Sequence, residues 1–249
     1  MASRAGTGYI ARAMRSTSGS RRLLSYAIAA ALLAACSPDA PPPPRDSIVA
    51  SAAAATLHDS GAARIVLGGV NLTGVGYDIG DVNAPITMIE FSDFGCPYCA
   101  QHALQTLPPI RAEFVDSGKV FYKYVPFVVG MFPNGDGAAR AAECGGDQGE
   151  FWPMHDGLYE RQNDWKRGRD PVKVFTEVAT STVPDVDRWR ACFEGGRPDA
   201  RTAVATQAAT RLGVRATPTF FINGQMVEGA LPLGVMRGGL RSMLEAAGQ

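Results

Sequence analysis

The stretch FSDFGCPYC, residues 91–99, places Cys96 and Cys99 on either side of a Pro-Tyr pair, directly after the apolar run Ile86 to Phe91 and at the head of a helical pattern. No other feature of the chain restricts the fold as strongly. A short apolar run suits a buried strand, and Pro97 suits a first helical position, where its missing N–H would have had no partner. Such a strand delivers Cys96 to a helix N-terminus. Free N–H groups of Tyr98 and Cys99, with the positive end of the helix dipole, would stabilise a thiolate there and lower the Cys96 pKa from about 8.5 towards roughly 3.5 to 7. Cys96 is expected to be exposed and nucleophilic. Cys99, one turn in and less exposed, is expected to be the resolving thiol.

The chemistry of such a pair depends on its compartment. Residues 15–36 give a basic segment ending in Arg21-Arg22, an apolar run of thirteen residues from Leu23 to Ala35, and then Cys36. A spanning helix needs roughly twenty apolar residues and a secretory core about seven to fifteen, so residues 1–36 are expected to be an export signal, starting at Met1 or Met14. Leu33-Ala34-Ala35-Cys36 resembles the lipobox of bacterial lipoproteins, which implies lipidation at Cys36 and anchoring to a membrane on its extracytoplasmic or periplasmic side. Residues 37–64 are rich in Ala, Pro and Ser, include four consecutive prolines and His58, and show no periodic apolar face. They are expected to form a stalk holding the domain roughly 30 Å from the membrane.

Residues 65–249 suffice for one domain with its own core. Lys plus Arg and Asp plus Glu are equal at 24 each, which argues against a nucleic-acid partner. Five cysteines leave four once Cys36 is set aside, and spacing favours Cys96 with Cys99 and Cys144 with Cys192. Zinc is disfavoured because the domain offers neither a second C-x-x-C nor paired histidines, so no metal site is expected. Cys99 to Val115 reads as a helix kinked or restarted at Pro108-Pro109, Lys119 to Val125 as a strand, and residues 134–213 as an insertion of four or five helices. Asp170-Pro171 starts one of these helices and Gly213 ends the last. TPTFFING, residues 217–224, reads as a strand closing in an Asn-Gly turn, with MVEGA as its return and a final helix from Leu233 to Ala247.

Strand, helix, strand, helical block, hairpin and helix is the order of an α/β thioredoxin fold with a helical insertion. FSDFGCPYC, TPTFFING and the intervening ECGGDQGEFWPMHDGLY together resemble the DsbA-like branch of the thioredoxin superfamily, over roughly residues 70–247. That resemblance implies an extracytoplasmic thiol-disulfide oxidoreductase with Cys96 and Cys99 as redox pair and no cofactor. Its substrates would be exported proteins carrying thiols or disulfides, and a DsbB-like or other quinone-linked membrane partner would reoxidise it. It also implies a cis-proline loop at Thr217-Pro218 facing the cysteines. Tyr98 in place of a histidine, and Thr217 where a valine is common, are closer to the isomerase branch, so a disulfide reductase or isomerase stands as the alternative to an oxidase. A binding or chaperone lipoprotein that merely keeps the fold is the alternative of another class.

Glu90, six residues before Cys96, matches a buried acid in relatives; two readings stand, a buried carboxyl that takes the Cys99 proton and a short-strand residue that points to solvent. His102, on the Cys99 face, reads as a surface residue. Phe151, Trp152, His155 and Tyr159 read as core at helical spacing, and the glycines of GGVNLTGVG as turns.

Overall fold

A computed structural model describes residues 65–248. The expected signal, the Cys36 lipobox and the stalk with His58 lie outside the described residues. The chain begins with a hairpin of β1 (Val66–Leu67) and β2 (Val70–Asn71), and then enters a five-stranded sheet. Its strands are β3 (Tyr77–Ile79), β4 (Ile86–Ser92), β5 (Val120–Pro126), β6 (Thr219–Ile222) and β7 (Gln225–Glu228), in the order β3-β5-β4-β6-β7. The central pair β4 and β5 is parallel, with Glu90 opposite Tyr124; the other neighbours are antiparallel. Both central strands are covered on both faces, so apolar residues predominate on each side and the polar Glu90, Ser92 and Lys123 are buried among them.

Alternation along the strands divides the core in two. Met88, Tyr122, Tyr124, Phe220 and Ile222 face one way, with Ile110, Phe114 and Leu240 in the larger apolar cluster. Ile89, Phe91, Val125 and Phe221 face the other, against Ala205, Ala208 and Ala209. Glu90 and Ser92 share the face of Met88, so two polar groups enter the larger cluster.

The helix after Cys96, α1, covers 97–115 without a restart. It runs as an α turn at Pro97–Gln101, a π turn at His102–Thr106, an α turn at Leu107–Ile110 and a π turn at Arg111–Val115. Pro108 and Pro109 remove two amide donors and crowd the preceding turn, and the wider π turns on either side absorb this where a break was expected.

The insertion holds six helices, where four or five were expected. They are α2 (Gly135–Gly146), α3 (Phe151–Glu160), α4 (Gln162–Arg167), α5 (Pro171–Thr182), α6 (Val186–Gly195) and α7 (Pro198–Arg211). Short breaks at Arg161 and at Gly196, which has φ 65°, divide runs that look continuous in sequence. Asp170 caps α5 by accepting the Lys173 N–H at 3.0 Å, and Gly213 leaves α7 at φ 81°. Cys144 and Cys192 form a disulfide between α2 and α6. Asn223 and Gly224 both have positive φ, as a two-residue hairpin turn requires, and α8 (Leu233–Ala246) closes the domain. Among the described residues no helix is long and apolar enough to cross a membrane. The strands β1, β2 and β3 escaped the sequence reading because two or three residues carry no period; the glycines beside them do turn, with Gly68, Gly69, Gly74 and Gly76 all at positive φ.

Candidate active site

β4 ends at Ser92, and a short loop turns the chain into α1. Cys96 is the N-cap, at φ −77° and ψ 124°, and Pro97 begins the helix. The Cys96 thiol donates to the Thr217 carbonyl at 3.2 Å, and the Thr217-Pro218 peptide is cis. The two motifs, 121 residues apart, thus meet as expected.

Cys96 and Cys99 are both thiols here. A hydrogen bond from the Cys99 thiol lowers the Cys96 pKa to about 6, helped by the Thr217 side chain and the N–H groups of Cys99 and Tyr98, and opposed by burial. The Cys99 thiol moves the other way, raised by burial first and then by its neighbours Cys96 and Glu90. The asymmetry favours ionisation at Cys96 over Cys99.

The expected exposure of Cys96 is not observed: it is 1% exposed and Cys99 0%. Solvent meets Tyr98, at 62%, and Pro97. Thr217 lies against the sulfur, and the segment after β5 presses on the cysteine loop. A Cβ on Gly95 would fall 2.4 Å from Phe132 Cβ, so a residue with a side chain would push the two loops apart.

Below the pair, Glu90 is buried and accepts from the Tyr122 hydroxyl. Burial raises its pKa to about 7; Tyr122 and Ser92 oppose this, and the charge of Cys96 adds to it. His102 corrects the sequence reading, because it is fully buried. Its Nε2 lies 3.3 Å from the Tyr122 hydroxyl and 3.8 Å from Glu90 Oε2, and its ring meets Phe220 edge-on. Cys99 faces the sheet, and a residue three positions on shares that face. Burial and nearby His155 hold this imidazole neutral, with its pKa near 3. His155 is core as expected, with ring centroids 5.0 Å from Tyr124 and 4.9 Å from Tyr159.

Four residues of the site escaped the sequence reading. Ser92 Oγ lies 3.1 Å from the Tyr159 hydroxyl and helps to lower the pKa values of both Glu90 and Cys99. Asp93 is buried, accepts the Gly95 N–H at 2.8 Å, and is raised to about 6, chiefly by burial. Gln162 and Lys166 reach the cysteine loop from α4. Asp93 had a signal, a carboxylate inside an apolar strand end; Gln162 and Lys166, 66 and 71 residues from their partners, had none. Among the described residues no group of three or more His, Cys, Asp or Glu is arranged to hold a metal ion. The arrangement is a low-pKa sulfur, a protonated partner sulfur and a buried acid, the parts of a dithiol that exchanges with other thiols.

A family model described as thioredoxin matches residues 73–238. The Na(+)/H(+) antiporter NhaA 3 of Salinispora tropica is 33% identical over 170 residues, 68% of this chain and 24% of that protein. The chain therefore spans about a quarter of the length of that relative. A probable disulfide bond formation protein D of Bacillus anthracis is 25% identical over 153 residues, 60% of this chain and 70% of that protein. The crystal structure of oxidised BdbD from Bacillus subtilis superposes with a TM-score of 0.64 at 22% identity, covering 74% of this chain and all of that one, a likeness of fold. With its sheet order, dithiol, cis-proline loop and helical insertion, the chain belongs to the thioredoxin family.

Proposed function

We propose that this DsbA-like thiol-disulfide oxidoreductase works as an oxidase, forming disulfides in exported proteins. A substrate thiolate attacks Cys96 Sγ of the Cys96-Cys99 disulfide, and Cys99 leaves and takes a proton, with Glu90 as the nearby donor. A second substrate thiolate then attacks the substrate sulfur of the mixed disulfide and releases Cys96. Two electrons pass to the protein; one of the two substrate protons ends on Cys99, and the other goes to solvent while Cys96 stays ionised above a pH of about 6. The observation that carries the direction is the Cys96 sulfur at a helix N-terminus, where the Cys99 thiol and the N–H groups of Cys99 and Tyr98 favour its ionised form. Stabilising that thiolate favours the dithiol over the disulfide, and so makes the disulfide a stronger oxidant.

Neutral Tyr98 tempers this, because a protonated histidine in its place would have added charge. We expect a potential of roughly −130 to −210 mV, read by equilibrating the domain with glutathione buffers. A value below about −250 mV selects the reductase or isomerase reading, since each 30 mV is about 1.4 kcal/mol for this couple. Function left intact in Cys96→Ser selects the non-catalytic binding reading. Lipidation of Cys36 would hold the enzyme on the extracytoplasmic side of a membrane, within reach of a quinone-linked partner that reoxidises it.

A further inference from the structure

Past the end of β4, the carbonyls of Phe94 and Gly95 have no neighbouring strand to supply donors, and that of Cys96 accepts the Ala100 N–H at 3.1 Å with one lone pair still open; buried carbonyls need donors. Two side chains of α4 supply them. Gln162, buried at 6% exposure, uses both hydrogens of its amide, giving one to Phe94 O at 2.6 Å and the other to Cys96 O at 2.9 Å. One turn on, the Lys166 ammonium donates to Gly95 O and sits 4.9 Å from the centre of the Phe132 ring. Residues four apart share one helix face, so α4 grips in succession the three residues that end in the nucleophile. The charged and titratable groups facing this loop are Glu90 and Asp93 from β4 and its end, Tyr124 from β5, Asp136 from α2, Tyr159 and a His155 that burial keeps neutral from α3, Cys99 from α1 and Lys166 from α4. Lys166 is the cation among them.

We propose that Gln162 and Lys166 are positioning residues for Cys96, Gln162 fixing the backbone that aims the sulfur at the α1 N-terminus and Lys166 supplying the positive charge that neutral Tyr98 lacks. One Gln162 bond ends on the Cys96 carbonyl and the other two residues earlier on Phe94 O, so the backbone that carries the Cys96 Cα–Cβ bond is held from the insertion. The ammonium holds the negative end of the Gly95 dipole and offsets the carboxylate of Asp93, whose pKa it lowers while Cys96 raises it. A negative sulfur exists in the dithiol and not in the disulfide. A fixed cation on the carbonyl of the residue preceding Cys96 therefore favours the dithiol and strengthens the oxidant. This inference deepens the oxidase reading and rests on Cys96 being the reacting sulfur.

The test begins with the unsubstituted protein, whose thiolate absorbance near 240 nm and exchange with glutathione establish Cys96 chemistry; no exchange there defeats the functional reading itself. In Lys166→Gln, which keeps a donor and loses the charge, the Cys96 acid dissociation constant should fall about three- to tenfold, as for a unit charge several ångströms away in a partly screened site. Equilibrium with glutathione should shift towards the disulfide by a similar factor. Lys166→Arg should restore both, and Gln162→Leu should move both the same way as Lys166→Gln. Independently of any variant's folding, the NMR signal of ¹³C-methylated Lys166 in the unsubstituted protein should inflect with Cys96 ionisation in the dithiol form and lose that inflection in the disulfide form. An unchanged thiolate titration in folded Lys166→Gln, or a Lys166 signal that titrates identically in both redox forms, overturns the proposal.

Discussion

Cys96 and Cys99 carry the same side chain one helical turn apart, yet their surroundings drive them in opposite directions. Cys96 sits where donors converge, so its anion is favoured; Cys99 sits where water is excluded, beside the Cys96 sulfur and the Glu90 carboxyl, so its thiol is favoured. We expect Cys96→Ser to abolish exchange and Cys99→Ala to accumulate mixed disulfides. Alkylation at mildly acid pH should label Cys96 first, although slowly because the sulfur is covered, and earlier labelling of Cys99 would reverse the roles. Glu90 carries a second prediction. Its folded pKa of about 7 lies above the ordinary 4.5, so the folded state holds this proton more tightly than the unfolded one. The associated stability is complete below pH 4.5 and is lost as the pH rises through 7. In the disulfide form, where Cys96 does not titrate, Glu90→Gln should remove this decline and leave the protein more stable than the parent at pH 8, by up to about 3 kcal/mol. Urea unfolding from pH 4.5 to 8 reads the difference, and parallel curves for parent and variant would count against a buried, proton-holding Glu90.

Among the elements, α1 and the insertion divide the work of presenting the dithiol. α1 offers its N-terminus to Cys96 and its buried face, Cys99 and His102, to the sheet; its π turns let that face continue past two prolines. The insertion contributes through α4, and it is tied to itself by Cys144-Cys192 and by Trp189, which is buried and donates to Ala141 O at 2.9 Å. Beside that disulfide, half-buried Arg201 pairs with Glu143 at 2.6 Å and with Asp147 at 2.9 Å. Closing a loop of about 49 residues restricts the unfolded chain by roughly 4 kcal/mol in the chain-entropy model, an upper figure. Replacing both cysteines by alanine should therefore lower the unfolding free energy by about 2 to 4 kcal/mol while leaving the Cys96 thiolate titration in place. Loss of that titration in a folded double variant would mean that the disulfide also shapes the active site. Non-reducing peptide mapping should recover the linked fragment.

At the scale of the whole molecule, the proposed anchor places the domain, and the test is at Cys36. Cys36→Ser should end acyl labelling and release or misprocess the protein, whereas retention through a carbonate wash would exclude a lipid anchor. Within the domain, much was legible in the sequence because the signals are local. A strand ending at a proline-started helix, an Asn-Gly turn, an Asp-Pro helix start and the Cys96-Pro97-Tyr98-Cys99 spacing each act over a few residues, and each appears where the residues place it. The pairing of Cys144 with Cys192 followed from having four cysteines to distribute. What tertiary structure alone decided is which faces meet. The covering of Cys96 by Thr217 and its neighbours, the burial of His102 beside Glu90, and the grip of Gln162 and Lys166 on the cysteine loop depend on elements dozens of residues apart packing at one place. Periodicity states that a helix has a buried side, but the partner of that side is chosen by the packing of the whole sheet and insertion, and there the reactivity of the dithiol is set.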